Sequence, residues 1–153
     1  MKSLLFLLSL VSLVFITVNI NAQENNLRTG FYRVAEEDSC LSSDNYITLS
    51  DSEAGYCIYK IPIVTENNFV SVKINADTAA YGINYTVLIK LDEAGADSVK
   101  AATEKMVGQK AAFIINDKVI AAPVVRDPIV SGSIAVFCDE ETINEVKKGL
   151  GIK

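Results

Sequence analysis

The spacing of apolar residues changes twice within residues 85–121, and this constrains the fold more than any other feature of the chain. "YTVLIKL" (85–91) is continuous enough in apolar content to be a central strand. "DEAGADSVKAATEKMVG" (92–108) then switches to helical spacing, with Val99, Ala102, Thr103 and Met106 on one face and Lys100, Glu104 and Lys105 away from it. Asp92 suits the start of that helix and Gly108 its end. "KAAFII" returns to strand, Asn116-Asp117 supply a two-residue hairpin turn, and "KVIAAPVV" runs back. "SIAVF" (133–137) is a further strand. "DEETINEVKKGLG" is a last helix with acids in its first turn, Lys147 and Lys148 near its end, and Ile143, Val146 and Leu150 on one face. The order β-α-β-β-β-α predicts an α+β fold, a mostly antiparallel sheet with two helices on one face.

A different texture precedes it. From Thr29 to about Val64, β-branched and aromatic residues alternate with clusters of Asp, Ser, Asn and Gly, which reads as three short strands. Tyr32, Tyr46, Tyr56 and Tyr59 in this stretch suit core and sheet-face packing with hydroxyls reaching water; an aromatic binding face is the rival reading. The expected organisation is a short β-rich segment at 23–60 followed by an α+β domain at 61–153.

Residues 1–22 carry a charged start at Lys2, an apolar run from Leu4 to Val18 and a small residue at Ala22, the pattern of a secretory signal peptide. No second apolar run of spanning length follows, so the mature chain is expected to be secreted or periplasmic and not to span a membrane. A net charge of −5 argues against nucleic acid and anionic lipid as partners. The 3 cysteines are an odd number for an oxidising compartment. Cys40 and Cys57 are the closest in sequence and the candidate disulfide, leaving Cys138 free; three unbonded, buried thiols are the alternative.

Chemistry is scarce. The chain has no histidine, which removes the commonest general base and the usual partner of a Ser or Cys nucleophile. Cys40 and Cys138 have aspartate nearby or adjacent, unlike the electropositive surroundings of a reactive thiolate. No cysteine pair has zinc-ligand spacing, and the acidic clusters at 36–38 and 51–53 lack that of a calcium loop. No glycine-rich phosphate loop occurs, and neither a metal nor a cofactor is expected.

What remains is the extended arm in "INDKVIAAPVVRDPIVSG" (115–132), stiffened by two prolines. Each proline lacks a ladder donor, so Pro123 and Pro128 suit a sheet edge or a crossing loop. Pro123, Val124, Val125, Arg126, Asp127 and Pro128 are the candidate binding residues, a surface on which an extended peptide adds to a strand edge with Arg126 and Asp127 as polar rim. The competing reading is a cover that blocks edge aggregation.

The stretch from "LDEAGADSVK" to "SGSIAVF", with the acidic helix after it, resembles the head part of the first periplasmic domain of SecD, an accessory subunit of the bacterial Sec translocon. A strand, an acidic turn, an Ala-rich helix closed by Gly108, an apolar strand, the turn Asn116-Asp117-Lys118-Val119, the step Ala122-Pro123-Val124-Val125 and the pair Ile129 and Gly132 follow in order. "IPIVTENNFVSV" (61–72) is similar to the strand and acidic lead-in before that head, so the resemblance covers roughly residues 61–150. The chain departs from the family's usual Asp-Gly at the hairpin turn, and from its Gly-bearing step before the last helix, where Val136-Phe137-Cys138 stands. No second apolar run of spanning length follows residue 22, so the transmembrane helices through which SecD couples a proton gradient to export are not expected in the mature chain. The resemblance implies a fold and a non-catalytic extracytoplasmic module that engages extended or unfolded protein segments. An envelope assembly component packed on a fixed partner is the alternative, and a thiol-dependent enzyme using Cys138 is a third reading.

Overall fold

The computed structural model describes residues 27–35, 40, 44–50, 55–79 and 82–152. The expected signal peptide at 1–22 lies outside them, as do the acidic clusters at 36–38 and 51–53. The described strands are β1 (Gly30–Ala35), β2 (Tyr46–Ser50), β3 (Gly55–Tyr59), β4 (Val64–Thr65), β5 (Phe69–Ala79), β6 (Gly82–Leu91), β7 (Ala111–Ile115), β8 (Lys118–Ala121) and β9 (Ser133–Cys138). The helices are α1 (Glu93–Lys105) and α2 (Glu140–Gly149).

The chain is an α+β protein whose described strand pairs are all antiparallel. The strands divide between two sheets, one of six strands in the order β2-β3-β1-β7-β8 with β4 also on β1, the other of three in the order β5-β6-β9. The tyrosine-rich strands therefore share a sheet with the β7–β8 hairpin, because β1 lies between β3 and β7. Its register on β7 runs from Gly30 opposite Ile114 to Arg33 opposite Ala111.

Strand geometry explains how one sheet serves two cores. Successive side chains point to opposite faces, and in β7 both faces are covered, so all its residues from Ala111 to Ile115 are buried. Ala111, Phe113 and Ile115 enter the larger cluster with Val87, Ile89, Val99 and Met106. Ala112 and Ile114 enter the smaller one with Tyr32, Leu49 and Ile58. β1 divides the same way, Phe31 to the larger core and Tyr32 to the smaller.

Both helices close the larger core. Asp92 caps α1 by accepting from the Gly95 N–H at 2.7 Å, and Val99, Ala102 and Met106 are buried beneath it. Asp139 caps α2 by accepting from the Thr142 N–H at 2.8 Å, with Ile143 and Val146 inward. These side chains meet Val87, Ile89 and Leu91 of β6 and Ile134 and Val136 of β9.

Asn116 and Asp117 have φ of 48° and 62°, the left-handed pair that a two-residue hairpin turn with matched twist requires. Gly is the easier occupant of such a position; here the Asp117 carboxylate also accepts from the Leu27 N–H at 2.6 Å and fixes the entry of the chain into β1. The Cys40–Cys57 disulfide is formed, with Cα atoms 5.6 Å apart, and Cys138 is free. No described helix is long and apolar enough to cross a membrane. The sequence reading provides no strand for residues 73–84, yet β5 and β6 form a long hairpin whose register runs from Phe69 opposite Leu91 to Ala79 opposite Gly82.

Candidate functional site: an apolar groove between two sheet ends

β8 ends the larger sheet and β9 ends the smaller one, and a groove of about 260 Å³ lies between them. Phe31 and Phe113 reach it from the core side. Ile134, Ala135, Val136 and Phe137 of β9 line one wall. The other wall is the arm after β8, contributed by Pro123, Val124, Val125, Arg126 and Asp127, with Ile129 beyond. Five of the six candidate residues thus come together on one groove, and Pro128 is exposed outside its lining.

The arm is held by both ends. The Ala111 N–H donates to the Pro123 carbonyl at 3.0 Å, the Val125 N–H to the Gln109 carbonyl at 2.8 Å, and the Gly108 N–H to the Val125 carbonyl at 2.8 Å. The arm therefore continues the path of β8 along the chain leading into β7, with an isolated bridge from Val124 to Lys110. Proline suits position 123 because the bond made there uses its carbonyl and needs no N–H. At the far end the Ile129 N–H donates to the Thr103 hydroxyl of α1 at 2.9 Å. Thr103 is fully buried and returns its own proton to the Val99 carbonyl at 2.7 Å. Val125 is part of the core, whereas Val124 is 46% exposed. Arg126 and Asp127 are exposed, and neither forms an ion pair with a described residue.

Phe137 is not one of the six candidate binding residues that the sequence offers. It is 73% exposed, while Ile134 and Val136 on the other face of the same strand are buried. The signal was present in "SIAVF", where an aromatic occupies the outward parity of an alternating strand.

Cys138 follows Phe137 at the end of β9. Burial and the adjacent Asp139 carboxylate push its thiol above the ordinary range, the reverse of the shift that makes a cysteine nucleophilic. Among the described residues no group of three or more Cys, Asp or Glu is placed to hold a metal ion. The tyrosines pack locally. Tyr46 and Tyr59 meet edge to face at 5.2 Å, Lys110 lies 5.6 Å over the Tyr56 ring, and the Tyr32 hydroxyl donates to the Arg28 carbonyl at 2.7 Å. Burial first, then the Glu66 carboxylate, pushes Tyr32 up to about 12.

The fold and the groove define an α+β module that presents strand edges and an apolar channel. It belongs to the SecDF P1 head subdomain family, whose model matches residues 41–147. That match begins about twenty residues before the stretch at 61–150 on which the sequence resemblance rests. The chain is also similar to a crystal structure of SecDF in super-membrane-facing form, at 17% identity and a TM-score of 0.57, over 80% of this chain and 18% of that one. The same figures hold for a structure of SecDF described as a membrane component that enhances protein export, of which 60% is covered. At this identity the likeness carries the fold. No curated protein matches the chain.

Proposed function

We propose that this chain is a non-catalytic, extracytoplasmic binding module that engages extended or unfolded protein segments at the groove between the arm and β9. The observation that carries this reading is an apolar channel beside a strand edge with no described partner. An added strand gains main-chain hydrogen bonds along β9, and alternate side chains fall into the channel. Main-chain recognition tolerates many sequences, which suits a partner that is unfolded. The volume falls just under the ~300 Å³ at which small-molecule pockets begin, so one or two peptide side chains fit better than a drug-sized ligand. The pinned arm reduces the entropy lost on binding. Family membership among export components and the formed disulfide agree with a site outside the cytoplasm.

Titration with a reduced, unfolded secreted polypeptide, followed by backbone amide shifts, tests this. Perturbations concentrated at residues 123–127 and 133–138 are expected. A response confined to the tyrosine-rich strands 30–60 overturns the site. A stable one-to-one complex with a folded envelope protein, without any response to unfolded chains, favours the assembly-component reading.

A further inference from the structure

β5 is the opposite end of the smaller sheet from β9, and its outer edge has no described strand partner. It is 11 residues long and contains no proline. Strand edges of that length are templates for pairing with another chain unless something blunts them. A bulge between Phe69 and Ser71 disrupts the start, which leaves 71–78 as the regular stretch.

From this edge we infer that β5 pairs with β5 of a second copy of this chain, antiparallel and about a two-fold axis at Asn75. The side chains select both the partner and the register. Val72 and Ile74 face the larger core, while Lys73, Asn75 and Asp77 lie on the opposite, exposed face. With Asn75 opposite Asn75, each Lys73 stands opposite the second copy's Asp77, and Ile74 stands opposite Ala76. Opposite charges directly across an antiparallel pair attract. Two such pairs form, one on each side of the axis, and the two asparagine amides meet on it. Within one chain neither Lys73 nor Asp77 is in an ion pair with any described residue, so both are available. A parallel, in-register pairing sets Lys73 against Lys73 and Asp77 against Asp77, which charge repulsion opposes. The antiparallel arrangement is isologous, so it closes at two copies and joins the two small sheets into one of six strands.

This inference is independent of the groove, which lies at the other end of the sheet. Sedimentation velocity of the purified protein over a concentration series should show a reversible monomer–dimer equilibrium that weakens with added salt. Lys73→Glu makes the edge wholly acidic and Asp77→Lys makes it wholly basic. Each alone should weaken the dimer by about tenfold or more, since two attractions become two repulsions. Mixing the two variants should restore association, and so should combining both changes in one chain. Circular dichroism serves as the control for folding, since both positions are exposed. A wild-type chain that stays monomeric at every concentration overturns the proposal. So does a dimer indifferent to Lys73→Glu, or a mixture of the two variants that fails to associate.

Discussion

Thr103 stands among valine, alanine and methionine on the buried face of α1, where a hydroxyl needs a partner to be tolerated. It has them, donating to the Val99 carbonyl and accepting from the Ile129 N–H of the arm. Thr103→Val preserves the volume and leaves the amide without its acceptor. It should lower stability by ~1–3 kcal/mol and speed hydrogen exchange at Ile129 more than at the paired Val125. Chemical denaturation and exchange measured together check this; equal effects at both amides would mean Thr103 does not hold the arm. Tyr32 gives a second handle. Folded, it keeps its proton up to about 12, whereas the unfolded chain releases it near the ordinary value of 10.0. Its contribution is therefore complete below pH 10 and declines as pH rises through the window to about 12. Tyr32→Phe should flatten the alkaline limb of a stability–pH profile, at a neutral-pH cost of about 1 kcal/mol for the lost bond to Arg28.

Among the elements, β2 and β3 are the far end of the larger sheet, and the disulfide ties Cys57 of β3 to Cys40 across a separation of 17 residues. Closing a loop of that size restricts the unfolded chain by about 3 kcal/mol. Replacing both cysteines by serine should lower the unfolding free energy by up to that amount, measured by denaturant titration, and abolish the response of the parent protein to reductant. The helices and the β7–β8 hairpin were legible because each is local: a cap, an apolar stripe, a turn, then a return strand. β5 was not, for a physical reason. Beyond Ile74 its residues Asn75 to Thr78 are all exposed, so the hairpin with Gly82–Asn84 has no buried face to write an alternating pattern into the sequence. The split into two sheets was equally hidden. It depends on β1 pairing with β7 some eighty residues away, and "KAAFII" gives no sign that its odd and even residues enter different cores. Of the candidate site, the arm was visible through its prolines and the opposing wall was not, because the closeness of β9 to the arm is a tertiary fact.

At the scale of the whole molecule, two antiparallel sheets share one core through Phe31, Phe113 and the β6 and β9 side chains, and their end strands frame the groove. Such an arrangement separates core-facing from outward-facing side chains by strand parity. Val136 points into the core at 4% exposure, and its neighbour Phe137 points out at 73%. Val136→Ser removes buried apolar volume and introduces an unpaired hydroxyl, so it should destabilise the fold by ~2–4 kcal/mol. Phe137→Ser gives up little that folding buries and should stay within about 0.5 kcal/mol of the parent. If unfolded polypeptide binds along β9, Phe137→Ser should nonetheless weaken it by roughly tenfold, about 1.4 kcal/mol, as an exposed aromatic beside a strand edge is a natural anchor for an incoming side chain. Val124→Ser on the facing wall should act in the same direction. Because both residues would touch the same guest, the double variant should depart from the sum of the two single losses. Calorimetric titration of the four proteins, with thermal melts alongside, reads all of these quantities. Single variants that bind as tightly as the parent while melting normally would move the partner off this groove.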